Sequence, residues 1–227
     1  MNFQATDASR SRSAADIVHE ALRDAIVQGN LASGVQLRQE EIARAFNVSR
    51  IPVREAILRL EQQGLVENRR YRGAFVTALS TDEIDEVFRL RALIESDAIR
   101  HTVPRMTAPA LTEAREELEA FSRTSDPAQL MDQNRRFHCA LYAAGQQPVY
   151  MGVINGLLDQ SDRYLRAQLS LTQGQDRAAR EHLLILDVVQ SGDAERAADL
   201  TKAHVTEAGA ALLDYLGQER GGQSGAR

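Results

Sequence analysis

The sequence predicts a mainly α chain in two parts, a small N-terminal unit of three helices closed by a β-hairpin and then an all-helical bundle. Three observations predict it. Apolar residues recur at helical spacing over most of the 227 positions, and only two short apolar runs near residue 70 read as strands. The helical runs are punctuated by Pro104, Pro109, Pro127 and Pro148 and by Gly145, Gly174 and Gly192, where helices end or begin. Charge divides as well: residues 1–79 hold 11 Arg against 9 acids, while residues 80–227 hold 16 basic residues against 23 acids. The net charge of -5 argues against a polyanion partner, but the distribution leaves a basic first part.

In chain order, residues 1–13 read as a loose polar tail lacking the apolar stretch of a secretory signal. Ala14 to Gln28 reads as a helix with Ile17, Ala21, Leu22, Ala25 and Ile26 as its apolar stripe and Gly29 at its end. A turn-like stretch, Asn30 to Val35, follows. Glu40 to Phe46 is a short helix, and Ser49 caps a longer one ending at Gly64. Leu65–Val66 and Ala74–Thr77 flank Arg69, Arg70, Tyr71, Arg72 and Gly73 as a hairpin with a basic tip. Thr77 to Asp82 is a linker, with Thr81 a cap for the next helix. The remaining helices are expected at 82–102, 108–122, 127–144, 149–171, 175–191 and 194–216, and the Gly-rich 217–227 reads as a disordered tail.

The segment from Glu40 to Val76 carries a helix-turn-helix signature. Such a pair needs a small residue in the first helix, a residue tolerant of positive φ in the turn and an apolar residue in the second helix. Ala43, Asn47 and Val53 supply these. At 100° per residue Val53, Ala56, Ile57 and Leu60 share one side of the second helix, which leaves Arg50, Ile51 and Arg54 on another. Two arginines and an isoleucine at the outward start of a helix suit a DNA major groove: Arg grips guanine O6 and N7, and Ile touches a thymine methyl. Ser49 adds a hydroxyl at a helix start, a natural phosphate position. Arg72 and Gly73 on the hairpin suit backbone approach. Helix, helix, Arg-bearing helix and basic hairpin together make a winged helix-turn-helix over residues 14–79.

In the second part three histidines stand on apolar helix faces. His138 shares a face with Met131, Leu141 and Tyr142. His182 lines up with Ile185, Leu186 and Val189, and His204 with Leu200, Ala208, Ala211 and Tyr215. One such histidine is ordinarily a hydrogen-bonded core residue, whereas three on separate helices can converge on one divalent metal, with Asn134 one turn before His138 offering an amide oxygen. Both readings remain open. Arg91 is either a carboxylate-binding group or the i, i+4 partner of Glu95.

The string VSRIPVREAILRLEQQGLVE, followed by RGAFV, resembles the GntR family of bacterial transcriptional regulators over about residues 14–79. The resemblance implies that Ser49, Arg50, Arg54, Arg72 and Gly73 contact an operator, and that a homodimer binds a short palindrome with GT and AC half-sites. The sequence departs from the family at Glu40, where many relatives carry Arg, and Arg38 is the expected substitute. RLRALIE, NRRFHCALYAAG, EHLLILDVV and KAHVTEA, over about residues 82–216, resemble the FCD ligand-binding domain of the FadR subfamily. That resemblance implies a divalent metal (zinc, nickel or manganese) held by Asn134, His138, His182 and His204, and an effector contact at Arg91. Asn134 stands where many members carry Asp, and a neutral amide is a poorer ligand. Asp132 lies six residues before His138 and faces elsewhere.

The expected function is thus a DNA-binding regulator, a repressor, with residues 80–216 forming the effector-binding, metal-binding and dimerisation domain and a small carboxylate as effector. The alternative is a metal-dependent hydrolase with an ancillary DNA module, for which neither a HExxH motif nor a nucleophile elbow is present. No apolar run approaches the ~20 residues of a membrane span, and Cys139 as the sole cysteine fits a reducing cytoplasm.

Overall fold

The structure, a computed structural model, describes residues 12–171 and 174–224. Most of the tail expected at 1–13 therefore lies outside the described residues, and Arg12 and Ser13 are ordered against the first helix. The chain divides into two compact units, Met1–Ala78 and Leu79–Arg227.

The first unit comprises helices α1 (Ala14–Val27), α2 (Gln39–Phe46) and α3 (Arg50–Gln62) and strands β1 (Gln36–Leu37), β2 (Val66–Arg69) and β3 (Gly73–Val76). α1 starts in a capping box. The Ser13 hydroxyl accepts from the Asp16 N–H at 3.1 Å, and the Asp16 carboxylate accepts from the Ser13 N–H at 3.0 Å. Its buried stripe is Ala15, Val18, Leu22 and Ile26, whereas Ile17 and Ala21 face solvent. The helix is apolar over a wide arc, so the pattern alone left its rotation against α3 open by about one residue. α2 ends at Asn47 in the left-handed conformation, φ +52°, the turn residue expected there. Ala43, Val53, Ala56, Ile57 and Leu60 are buried between α2, α3 and α1.

The sheet is antiparallel in the order β1-β3-β2, with Gln36 opposite Phe75 and Arg69 opposite Gly73. β1 was not expected: two residues cannot display an alternating pattern, and it exists because β3 offers it an edge. The hairpin turn is Arg70–Arg72, so Gly73 is not at the tip but opens β3. Its φ of +90° and the Gln36 amide 3.4 Å from where a Cβ would stand explain the glycine.

The second unit is a bundle of α4 (Thr81–Thr102), a 3₁₀ turn (Val103–Arg105), α5 (Ala108–Arg123), α6 (Pro127–Ala143), α7 (Pro148–Leu171), α8 (Gly174–Ser191) and α9 (Ala194–Ser224). Ser80, not Thr81, caps α4, in a capping box with Glu83. α9 continues past Leu216 to Ser224, which corrects the tail expected at 217–227: glycines weaken a helix by about 1 kcal/mol each without forbidding it. Residues 225–227 lie outside the described residues. α4 packs on α9 closely enough that a Cβ on Gly209 would fall 2.7 Å from the Phe88 side chain. Phe121, Phe137, Leu141, Tyr142, Ile154, Leu158, Ile185, Leu186 and Leu212 fill the core. Among the described residues no helix is long and apolar enough to cross a membrane.

Candidate DNA-binding face and candidate metal centre

The start of α3 presents its polar side chains outward. Arg50, Ile51 and Arg54 are exposed, Ile51 at 62%, while Val53, Ala56, Ile57 and Leu60 of the same helix are buried. Burying that apolar side leaves the arginine face free by helix geometry alone. Ser49 occupies the position before α3, but its hydroxyl makes no capping bond. Arg38 precedes α2 and donates to Glu41 at 3.0 Å. Arg54 and Gly73 line one groove between α3 and the hairpin. Arg72 is exposed in the turn, and its carbonyl accepts from the Gln36 amide at 2.7 Å. Two features of this face escaped sequence reasoning. Tyr71 is the outermost residue of the hairpin, 92% exposed at φ +62°, with the Arg70 guanidinium 4.9 Å from its ring centre. Arg50 donates to Glu40 at 2.8 Å across the helix-turn-helix.

In the bundle α6, α8 and α9 bring His138, His182 and His204 together, all three buried, with one ligand atom from each within 4.8 Å of the others. The Nε2 atoms of His182 and His204 face each other at 3.2 Å. Two imidazole nitrogens sharing one ion at about 2.0–2.1 Å must lie about 3 Å apart, so this pair already has ligand spacing. Burial, opposed in part by Glu95, brings the His138 imidazole down to about 3. Burial and the neighbouring rings hold His182 well below the usual histidine range. Both are therefore neutral at neutral pH, the form that binds metals. His182 Nδ1 is a buried polar atom with no hydrogen-bond partner. The donor set thus fits a divalent ion.

Around the cluster lies a second layer of polar groups. Glu181 accepts from His204 Nδ1 at 2.7 Å, which fixes the ring and turns Nε2 inward. Tyr142 donates to Glu95 at 2.9 Å and lies 3.4 Å from His138 Nδ1. Burial, reinforced by Glu95, holds the Tyr142 hydroxyl well above its usual value, so it remains a donor. Arg91 donates to Glu95 at 2.8 Å and to Ser161 at 3.1 Å, both within the core. Burial alone would raise the Glu95 carboxyl, but Arg91, His138 and the Tyr142 bond outweigh it and bring it below the ordinary range. The i, i+4 pair with Glu95, one of the two readings of Arg91, is formed. Arg91 also lines a cavity of about 20 Å³ together with Asn134, His138, Glu181 and His204. That volume holds about one water-sized occupant. Asn134 is buried on its wall, and Cys139 points away, its thiol 3.7 Å from Asn155 Oδ1. Of the acids of this layer, Glu181 was missed in the sequence. Glu181 adjoins a ligand-type histidine but serves a different one, 23 positions away on α9, and chain neighbourhood does not reveal that.

Known proteins resemble both units. The family model described as bacterial regulatory proteins, gntR family, matches residues 14–76, and the FCD domain model matches residues 86–207. The HTH-type transcriptional regulator BphR of Paraburkholderia xenovorans (strain LB400) is 33% identical over 210 residues, covering 86% of this chain and 83% of its own. A probable D-xylose utilization operon transcriptional repressor of Paenarthrobacter nicotinovorans is 30% identical over 223 residues, 95% of this chain and 96% of its own. The crystal structure of a transcriptional regulator (GntR family member) from Pseudomonas syringae pv. tomato str. DC3000 superposes with a TM-score of 0.58 at 33% identity, covering 92% and 88% of the two chains. The matched domains and relatives are transcriptional regulators, not enzymes, so the hydrolase alternative is set aside.

Proposed function

Since this chain belongs to the GntR family of bacterial regulatory proteins and carries an FCD domain, we propose that it is a repressor whose hold on an operator is set by a small carboxylate and a divalent metal in the bundle. Arg38, Ser49, Arg50, Ile51, Arg54, Arg72 and Gly73 form the operator-facing surface. The observation that carries the regulatory half is the convergence of His138, His182 and His204, of which His138 and His204 line a cavity shared with Arg91. His138, His182 and His204, with the Asn134 amide oxygen, hold the ion, and the ion supplies a Lewis-acid anchor for an effector oxygen. Glu181 orients His204. Arg91 offers the effector a guanidinium that Glu95 now occupies, so a carboxylate competes with Glu95 for it. At about 20 Å³ the cavity is smaller than any metabolite. The effector therefore selects a wider arrangement of α6, α8 and α9 and shifts the population toward it.

A palindromic operator requires two recognition helices, hence a homodimer. Leu90 and Leu93 on α4 and Val149 and Val153 on α7, all exposed, give the second copy an apolar face. A gel-shift titration on a palindromic duplex tests the reading, run with and without chelator and in a panel of small carboxylates. The expected outcome is tight binding by the wild type that one carboxylate weakens only when metal is present. Metal content well under one ion per chain, with carboxylate response intact in chelator, rejects the metal role. A monomeric mass while the palindrome is bound tightly rejects the dimer.

A further inference from the structure

The operator-facing surface carries a charge that phosphates disfavour. Glu40, in the first turn of α2, projects beside Arg50 at the start of α3, its Oε1 accepting from Nη1 at 2.8 Å. The pair stands on an open groove whose walls include Ala43, Arg44, Asn47 and Ser49. Both side chains are about 70% exposed, so their attraction is largely screened and stabilises the fold little. A carboxylate there repels the phosphate backbone and lowers non-specific affinity. Only a hydrogen-bond donor on the DNA offsets that repulsion, and in the major groove the base donors are the amino groups of cytosine and adenine.

The geometry selects between them. The guanidinium fork brings two donors and Glu40 one acceptor, a donor-donor-acceptor row. Read from the guanine side, a G·C pair shows two guanine acceptors and then the cytosine amino donor. An A·T pair shows acceptor, donor, acceptor and opposes the second guanidinium donor with an amino group. Guanine O6 and the cytosine amino nitrogen are bonded to each other and so stand about 2.9 Å apart. Arg50 Nη1 and Glu40 Oε1 are spaced almost identically, at 2.8 Å. We infer that Glu40 is a specificity-determining residue which, with Arg50, reads the whole major-groove edge of one G·C pair in each half-site. The inference rests on the operator-facing role of α3 set out above.

The test selects sites from randomised duplex DNA with the full-length wild type and with E40A, E40Q and E40R, then measures affinity for the selected duplex and for duplexes with each other pair at the assigned position. Wild type and E40Q, which retains an acceptor, are expected to require G·C at one position per half-site. E40A is expected to lose about tenfold of that discrimination, and E40R to bind all duplexes more tightly, with a steeper salt dependence and a weaker preference there. If E40A keeps the wild-type preference at every position and merely binds all sequences more tightly, Glu40 only repels phosphates and the inference is overturned. If the wild type itself selects no sequence, the operator-facing reading fails, and this inference with it.

Discussion

In the N-terminal unit the groups assigned to recognition stand in solvent, whereas in the bundle they are the core. Arg50, Ile51 and Arg54 are exposed on a helix whose other side is fully packed. His138, His204, Asn134 and Arg91 are buried and line one cavity, Glu95 is buried and bonded to Arg91 and Tyr142, and His182 is buried against His204. The difference teaches where each unit can change at low cost. A surface reader can exchange side chains without touching the fold, because each contact ends in water. A buried reader cannot, because most polar groups there are satisfied by one another, as Arg91, Glu95 and Tyr142 are, and removing one strands its partner.

The largest effect expected from this contrast is at Glu95. Glu95→Ala leaves Arg91 charged in the core with Ser161 as its remaining hydrogen-bond partner, and breaking such a pair destabilises by about 3–5 kcal/mol. The denaturation midpoint of the C-terminal unit should fall accordingly. A loss below about 1 kcal/mol would mean that water reaches the cluster and that the contrast between the units is false. Acid supplies the next test, in chelator-treated protein. The folded His138 imidazole lies at about 3 against an ordinary 6.5, so below about pH 6.5 the unfolded chain takes up a proton that the folded core refuses. Stability present above that pH is lost toward pH 3 at about 1.4 kcal/mol per unit, and His182 adds in the same direction. In the other unit the hydrogen bond from Arg59 comes first, then those from Ser13, in bringing the Asp16 carboxyl from 3.8 to about 2. Its contribution is kept down to about pH 3.8 and lost only below. Hydrogen exchange between pH 6.5 and 4 should therefore show the bundle opening while α1 stays protected.

The same contrast governs what was legible in the sequence. Helix positions and the arginine face of α3 follow from periodicity, since burying Val53, Ala56, Ile57 and Leu60 decides where Arg50 and Arg54 point. The three histidines were visible as polar residues on apolar faces. Groups whose partner lies far along the chain were not legible: Glu181 for His204, Tyr142 for Glu95 across 47 positions, and Glu40 for Arg50 across the turn. β1, the rotation of α1 and the far end of α9 were also hidden, because each depends on a neighbouring element or on a weak local preference rather than on a pattern.

Surface substitutions sharpen the comparison from the other side. Arg54→Ala should cost about 10–100-fold in operator affinity by gel shift, with a thermal midpoint close to wild type because Arg54 supports no packing. A matching drop in stability would place that guanidinium in the fold rather than on the DNA.

The smallest effect separates folding from recognition within one residue type. Ser13 and Ser49 both stand immediately before a helix of the N-terminal unit. The Ser13 hydroxyl accepts from the Asp16 N–H, whereas the Ser49 hydroxyl makes no capping bond. Ser13→Ala should thus cost about 1 kcal/mol of stability and leave operator affinity unchanged. Ser49→Ala should leave the denaturation midpoint nearly in place and weaken operator binding a few-fold, since the hydroxyl is free for a phosphate at a helix start. If Ser49→Ala is the destabilising member of the pair and binds DNA as well as wild type, the serine before α3 is a helix cap after all.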